Sequence, residues 1–397
     1  MSLIYLGASG IVATVRDAYM DTPNNRLITV HSDNSLRGYS LSTLLQTFAA
    51  TGLTTAPAGV TLINASSAVV PNFNTTTVDY VELSSGYKQA VAGGFANSFA
   101  RPQLVATDLA SGIALAVGNG RSVAIIKASP QTVTTVTPSI ADTNATFECI
   151  VLRTSGAWLV GSQYGYIYEL NASGAITDQL KISVQPSTGT SLGVSLAALP
   201  IIGNLSYAEN LLTVGTEEGV FVYDWSTKTQ IKYSPATTGT TVAGCTLSNT
   251  ASGVCIQSYT TPNIGSTFKE LDIAYRPLFI RDELWGPSNT STLVTGINPT
   301  TNIGWAIQPA LSLLHVFKVI PRASTLRTFS AQIAGVDQRC RLSLIDDTGG
   351  AGNNFVCFDT IMQSPATYRV PTGKSIIEVK KVGEGATALW SGSSYST

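Results

Sequence analysis

The chain has 397 residues, only 12% of them charged, and Lys+Arg 23 against Asp+Glu 24 leaves a net charge of −1. That balance excludes nucleic-acid binding or membrane attraction by bulk charge, and it leaves hydroxyl and amide side chains to build most of the polar surface. The most apolar stretch, Leu192 to Ile202, is interrupted by Pro200 and falls far short of the ~18 residues a membrane-spanning helix needs.

In chain order, the opening MSLIYLGASGIVATVRDAYMD has no basic segment ahead of an apolar run, so it reads as a strand and not as a Sec-type signal peptide. LITVHSDNSLRGYSL follows: an apolar strand ending in Val30, a five-residue turn, then a second strand of alternating pattern. The template returns in ALAVGNGRSVAIIKA, WLVGSQYGYIYELN and LLTVGTEEGVFVYDW, with Val117, Val160 and Val214 at the matching place. The interval from Val30 to Val117 is about twice that from Val117 to Val160, so a period of about 43 residues predicts a skipped copy near residue 73. NFNTTTVDYVEL stands there, with Phe73, a threonine turn, Val78 and Tyr80. One further period after Val214 reaches GVCIQSYTTPNIGSTFKEL, a weaker sixth copy around Gln257.

Repeats of this length, each with a central hairpin and two less regular flanking strands, predict an all-β fold: a β-propeller of about six four-stranded blades over 1–282. Strands such as Leu159-Val160 and Leu212-Val214 are expected innermost, apolar on both faces because neighbouring blades cover them. SVQPSTGTSLGVSLAALPIIG lengthens one blade, and SLIYLG is expected to pair into the last blade and close the ring. From Asp282 the period is lost, and 283–292 reads as a linker. Seven strand-like runs follow over 293–397, LSLLHVFKVI, TFSAQIAG, RCRLSLID, FVCFDTI, TYRVP, SIIEVKKV and ALWSG, predicting a C-terminal β-sandwich.

Chemistry is sparse along this frame. Cys149, Cys245, Cys255, Cys340 and Cys357 lie at no metal-binding spacing and read as five buried thiols, although Cys245 with Cys255, and Cys340 with Cys357, fall on neighbouring predicted strands. Of the two histidines, His31 lies beside Ser32 and Asp33 in a hairpin tip, where adjacent residues cannot converge as a triad, and His315 sits in a strand as a structural residue. Gly161 and Gly165, like Gly215 and Gly219, precede strands, so they are hairpin glycines and not a phosphate loop.

The predicted tips, Ser32-Asp33-Asn34, Thr75-Thr76-Thr77, Asn119-Gly120-Arg121, Ser162-Gln163-Tyr164 and Thr216-Glu217-Glu218, share no chemistry, which argues against equivalent sugar pockets. Glu217 and Glu218 read as a solvated turn, and Tyr164, Tyr166 and Tyr168 as packing between blades. Asp346, Asp347, Asn353 and Asn354 offer oxygen ligands without the spacing of a calcium loop. Asn64, Asn74, Asn144, Asn171, Asn204 and Asn289 begin N-x-S/T triplets at close to chance frequency. No residue is assigned a catalytic, cofactor-binding or metal-binding role, and no cofactor is expected.

A charge-poor, Thr/Ser/Gly/Asn-rich all-β chain that joins an irregular propeller to a C-terminal sandwich resembles tailed-bacteriophage virion proteins of the tail-fibre, nozzle and capsid-decoration types. The resemblance implies a non-enzymatic structural component of the virion, made in the host cytoplasm. Its partners would be other virion proteins, further copies of itself in a homo-oligomer, and a host-surface glycan, with no nucleic acid and no membrane insertion. A glycan-binding surface module, and a propeller glycosidase or lyase with two carboxylates at its axis, are the alternatives.

Overall fold

The computed structural model of the chain is all-β among the described residues, with 34 strands and no helix. It describes residues 2–320 except 12, 55, 73–74, 94–102, 141–145, 164, 183–201, 209, 217–218, 236–240, 248–253, 262–264, 273–281, 286–293, 299, 302 and 309–311, and beyond 320 it describes the strands. For 231–295 and from 317 onward the description is of the backbone.

After a first strand, β1 (Ser2–Gly10), come six antiparallel sheets of four consecutive strands each. Blade 1 is β2 (Val15–Asp21), β3 (Arg26–His31), β4 (Leu36–Ser40) and β5 (Gln46–Ala50). Blade 2 is β6 (Thr61–Asn64), β7 (Ser67–Pro71), β8 (Thr77–Glu82) and β9 (Lys88–Ala92). Blade 3 is β10 (Val105–Asp108), β11 (Ile113–Asn119), β12 (Ser122–Ala128) and β13 (Gln131–Val136). Blade 4 is β14 (Phe147–Thr154), β15 (Ala157–Ser162), β16 (Tyr166–Asn171) and β17 (Ile176–Lys181). Blade 5 is β18 (Ile202–Ala208), β19 (Leu211–Thr216), β20 (Gly219–Asp224) and β21 (Thr229–Pro235). Blade 6 is β22 (Thr241–Leu247), β23 (Val254–Thr261), β24 (Gly265–Asp272) and β25 (Asp282–Trp285). A further sheet is built from β26 (Val294–Asn298), β27 (Ile303–Gln308), β28 (Leu313–Ile320) and, outermost, β1.

The innermost strands β2, β6, β10, β14, β18, β22 and β26 touch one another in succession, and β26 touches β2, so the ring is closed. The six copies read from the sequence are the six consecutive-strand blades, and the skipped copy is the β7–β8 hairpin, in which Val78 and Tyr80 are buried. The β1 sheet makes a seventh blade. In it Ser2 lies opposite Ile320 and Gly10 opposite Leu313, which confirms closure by the N-terminal strand. Such a blade leaves no period in the sequence, because a quarter of it is borrowed from the other end of the chain.

The domain boundary is accordingly corrected. The chain divides into compact units Ser2–Ile320 and Pro321–Thr397, not at a linker over 283–292. β25 completes blade 6, and LSLLHVFKVI, assigned to the sandwich of 293–397, is the β28 of the propeller. The C-terminal unit holds β29 (Arg327–Gln332), β30 (Arg339–Ile345), β31 (Asn353–Asp359) and β32 (Ala366–Val370) as one four-stranded sheet. β33 (Lys374–Val382) and β34 (Leu389–Ser396) pair as a hairpin. The insertion at 183–201 lies outside the described residues.

The side-chain alternation of the second strand of each blade explains the core. Trp158 and Val160 of β15 enter the cluster between blades 3 and 4, whereas Leu159 between them enters the cluster between blades 4 and 5. Ile28 and Val30 of β3 likewise face blade 2, while Leu27 faces blade 7. These strands are therefore second from the axis and not innermost as expected, but they are apolar on both faces for the reason given, each face being covered by a neighbouring blade. Each such side chain, fully buried, stabilises the ring by roughly 1.5–3 kcal/mol.

Turn residues fasten the blades. Asn64 Oδ1 accepts from Ser66 N at 2.9 Å and Asn171 Oδ1 from Ser173 N at 3.0 Å, so two of the N-x-S triplets are Asx turns. At the end of β10, Asp108 Oδ2 accepts from Ser155 Oγ (2.8 Å) and Gly156 N (3.1 Å) in the next blade. Asn298, at the end of β26, donates to Thr22 O (3.3 Å) and Asn25 Oδ1 (2.9 Å) and so ties blade 7 to blade 1.

Candidate functional site

Four innermost strands carry a one-residue bulge near their start, at Arg16, Glu148, Gly203 and Ala243. The residue after each bulge, Asp17, Cys149, Asn204 or Gly244, occupies the same register position on the strand nearest the axis. The edge of an innermost strand has no further strand to pair with, so its backbone N–H and C=O groups need other partners.

Two side chains supply them. Asp17 is 2% exposed; its Oδ2 accepts from Val60 N at 3.0 Å and its Oδ1 from Gln103 N at 3.2 Å, joining blade 1 to the approaches of blades 2 and 3. Gln103 Nε2 donates to Leu205 O, and Leu205 N donates back to Gln103 Oε1, both at 3.0 Å. The carbonyl of Gln103 also accepts from Ile150 N at 2.8 Å. Gln103 thus satisfies the backbone of blades 4 and 5 from blade 3, holding a φ of 59° to do so. Close approach requires Gly59, where a Cβ would stand 3.2 Å from Val105 Cγ1 and 3.4 Å from Asp17 Oδ2. These contacts form a polar hub among the innermost strands. Burial pushes the Asp17 carboxyl up to about 7, against the opposing pull of the Val60, Gln103 and Ala18 N–H groups.

The bulge displaces Arg16 from the ladder, and its Nη1 donates to Pro57 O at 3.3 Å, a second tie between blades 1 and 2. Sequence reasoning missed this hub. The only trace was Asp17 itself, an acidic residue within a strand, and a carboxylate aimed at the backbone of two other blades has no sequence spacing to betray it.

Both histidines lie buried in strands. His31, fully buried at the end of β3, faces the Thr29 hydroxyl through Nε2 at 2.7 Å and Ala13 O through Nδ1 at 3.2 Å. Burial lowers its pKa to about 4, so the ring is neutral at pH 7. Ser32 and Asp33 are exposed and converge on no triad; Asp33 instead pairs with Arg37 at 2.6 Å. His315 on β28 is buried, and burial lowers its pKa too.

Tyr166 and Tyr168 stack with ring centroids 5.8 Å apart, and Tyr168 is in the core between blades 3 and 4, so they serve packing. Gly165 has a φ of 71°, while Gly161 and Gly215 lie within β15 and β19. Cys149 is buried and forms no disulfide among the described residues. Cys245 lies opposite Gln257 and Cys255 opposite Leu247, while Cys357 lies opposite Leu342 and Cys340 opposite Asp359, so each suspected pair is two residues out of register. Tyr164, Glu217, Glu218, Asp346 and Asp347 lie outside the described residues. Among the described residues no three acidic, histidine or cysteine side chains gather as a metal site.

A second polar cluster fastens blades 4 and 5. Glu169 pairs with Arg153 (Oε2 to Nε 2.7 Å) and accepts from Trp225 Nε1 at 3.0 Å and Thr177 Oγ1 at 3.1 Å. Lys228 Nζ lies 3.3 Å from the centroid of the Trp225 ring and 2.6 Å from Asp178 Oδ2. Replacing Glu169 by Ala leaves the Trp225 N–H and the Arg153 guanidinium without their acceptor. Urea unfolding is expected to show a loss of about 1–3 kcal/mol. A loss below about 0.5 kcal/mol would reduce the cluster to an exposed ion pair.

No known protein family matches the chain, and no curated protein matches it. Among solved structures 1304 chains match. One is the β-propeller domain of Cps50 (Swd1) from Myceliophteria thermophila, at a TM-score of 0.61 and 13% identity, covering 79% of this chain and 100% of that one. The likeness carries the propeller fold alone, and a fold shared that widely does not fix a function. It also corrects the functional expectation. The matched structure is a fungal propeller and no phage structural protein, so the virion role drawn from the overall resemblance is withdrawn: that resemblance lay in composition and in the pairing of a propeller with a sandwich, and no motif supported it.

Proposed function

We propose that the protein is a non-catalytic propeller scaffold that acts through its outer surface and associates with further copies of itself. The observation that carries this reading is the hub: where a propeller enzyme would need an open axial cleft, Asp17 and Gln103 spend their hydrogen-bonding groups on the backbone of four other blades. Asp17 faces no second carboxylate among its hydrogen-bond partners, so the acid and base of a glycosidase are not assembled there.

The surface supports contact. Leu45 is 67% and Tyr87 66% exposed. They hold equivalent places in the last turns of blades 1 and 2, where Ser40 N donates to Leu45 O and Glu82 N to Tyr87 O. Leu109, 44% exposed, lies in the first turn of blade 3, at the corresponding strand end of the up-and-down order. A net charge of −1 opposes association only weakly.

Light scattering across a concentration series tests this. The expected result is a mass well above the 41.6 kDa of one chain at micromolar concentration, reduced to one chain by the combined changes Leu45→Ser, Tyr87→Ser and Leu109→Ser. A single-chain mass at every concentration, or turnover of a glycan substrate by the purified protein, would overturn the proposal.

A further inference from the structure

We propose that the outer edge of β13 pairs with the β13 of a second copy of the chain, so that the two four-stranded sheets of blade 3 join across a two-fold axis into one continuous sheet. The pairing rests on the self-association of the chain and supplies its central contact.

An outermost strand leaves backbone N–H and C=O groups without a ladder partner, and chains blunt such edges with charges, prolines or bulges. Six of the seven outermost strands here are blunted. One extra residue interrupts the register of β5 at Thr47, of β17 at Thr177, of β21 at Ile231 and of β1 at Leu6. β9 opens on Lys88, and β25 on Asp282 and Glu283. β13, QTVTTV, has no charge and no proline, and it pairs with β12 from Ala128 opposite Gln131 to Val123 opposite Val136 without a shift. Its Thr and Val residues favour the extended state.

The groups at the edge follow from the ladder. Ala128 N donates to Gly112 O at 2.9 Å, so Ala128 turns its backbone toward β11. Backbone groups alternate along an antiparallel strand, so Lys127, Ile125 and Val123 turn toward β13 and bond to Thr132, Thr134 and Val136. Gln131, Val133 and Thr135 therefore direct their N–H and C=O away from the blade. Gln131, Thr134 and Thr135 are exposed, and among the described residues no backbone group pairs with the three that face outward.

The edge is held in place on both faces. Gly93, just past β9, lies over Val133, and Gly174 of blade 4 lies over Val136, each so close that a Cβ would clash. The Thr135 hydroxyl donates to Gly93 O at 2.9 Å. A strand fixed in this way loses little freedom when a partner docks.

The same strand of a second copy fits this edge. Outward residues must face outward residues, and the longest such register sets Val133 opposite the partner's Val133, Gln131 opposite the partner's Thr135 and Thr132 opposite the partner's Thr134. Threonines meet, and no like charges do. A pairing of 6 residues is marginal by itself, so the exposed apolar turns contribute as well: Leu109 and Tyr87 stand at the strand ends at which β13 begins.

Light scattering of the full chain across a concentration series tests the pairing with two variants. Thr134→Lys puts a charge on the edge, and Thr135→Pro removes an outward N–H without taking a bond from the blade. Each is expected to weaken association about tenfold or more while keeping the wild-type circular dichroism. The double change Thr132→Cys with Thr134→Cys is expected to give a disulfide-bonded dimer on mild oxidation, because opposite residues of a non-hydrogen-bonded pair stand about 4.5 Å apart, within disulfide reach. If Thr135→Pro does not fold, Thr134→Lys and the cross-link decide. Wild-type association that the folded variants retain in full, without a cross-link, would overturn the β13 pairing and leave self-association standing. A single-chain mass for the wild type at every concentration would overturn both, and leave the edge to a strand of a different protein.

Discussion

A chain lacking residues 2–10 is expected to lose the cooperative unfolding transition of the propeller and to aggregate on expression. Those residues are β1, the outermost strand of the seventh blade, paired with β28 from Ser2 opposite Ile320 to Gly10 opposite Leu313. Without it β28, LLHVFKVI, becomes an exposed apolar edge with its backbone donors and acceptors unpaired. The blade is also left with three strands, and the first and last segments of the ring lose the ladder that joins them. The defect should be repaired in trans: a synthetic SLIYLGASG peptide added during refolding supplies the missing strand and is expected to restore soluble protein and a single thermal transition. Soluble yield and calorimetric Tm, with and without peptide, measure it. A deletion variant melting within about 2 °C of the full chain would show that the closure contributes little, because one kcal/mol shifts Tm by only about 1–2 °C in a domain of this size.

The same closure marks where sequence reading reached its limit. Blades 1 to 6 were legible because each repeats one local pattern: an apolar strand that must be buried on both faces, a turn, and a second such strand. Val70, Val117, Val160 and Val214, one per blade, are all fully buried. Blade 7 has the same physics but not the same order along the chain, so β26 to β28 were read as linker and sandwich. The template itself was offset in two places, at Val30 and Val117, which face the next blade where Val160 and Val214 face the preceding one. Val30 pairs with Asp17 and leads into the turn, the place that Gly161 holds in blade 4, whereas Val160 matches Thr29 one residue earlier. Alternation tolerates that slip in the reading because both faces of these strands are apolar, and only the hydrogen-bonded ladder resolves it.

The hub was illegible for a different reason. Neither Asp17 nor Gln103 belongs to a motif, and the second partner of Asp17 is 86 residues away along the chain. What made them functional candidates is burial together with the backbone groups they meet, which are properties of the closed ring. Asp108, Asn298 and Glu169 show the same thing at smaller scale: each is a polar residue at or near a strand end that ties one blade to the next. A chain with few charges places several of them between blades, where they meet the backbone and side chains of the neighbouring blade.

Replacing Trp158 by Ala should cost about 3–5 kcal/mol, the largest loss from any single side chain of the ring. Trp158 is fully buried between blades 3 and 4, against Leu104, Val117, Ile125, Phe147, Ile150 and Tyr168. Its Nε1 donates to Ala106 O at 3.0 Å, so truncation opens a cavity and also strips an acceptor on the neighbouring blade. Trp158→Phe separates the two effects: it keeps most of the volume and is expected to lose about 1–3 kcal/mol, chiefly the hydrogen bond. Trp305 supplies the contrast. It is 3% exposed and packs over Gly296, where a Cβ would stand 2.3 Å from Trp305 Cζ2, but its Nε1 has no hydrogen-bond partner among the described residues. Trp305→Phe removes a donor that nothing accepts and so offsets part of its own packing loss, leaving a net change within about 1 kcal/mol. Urea unfolding of the four proteins orders them. Equal losses for the two Trp→Phe variants would mean that the Ala106 contact contributes nothing, and that volume alone sets the cost of opening the ring between its blades.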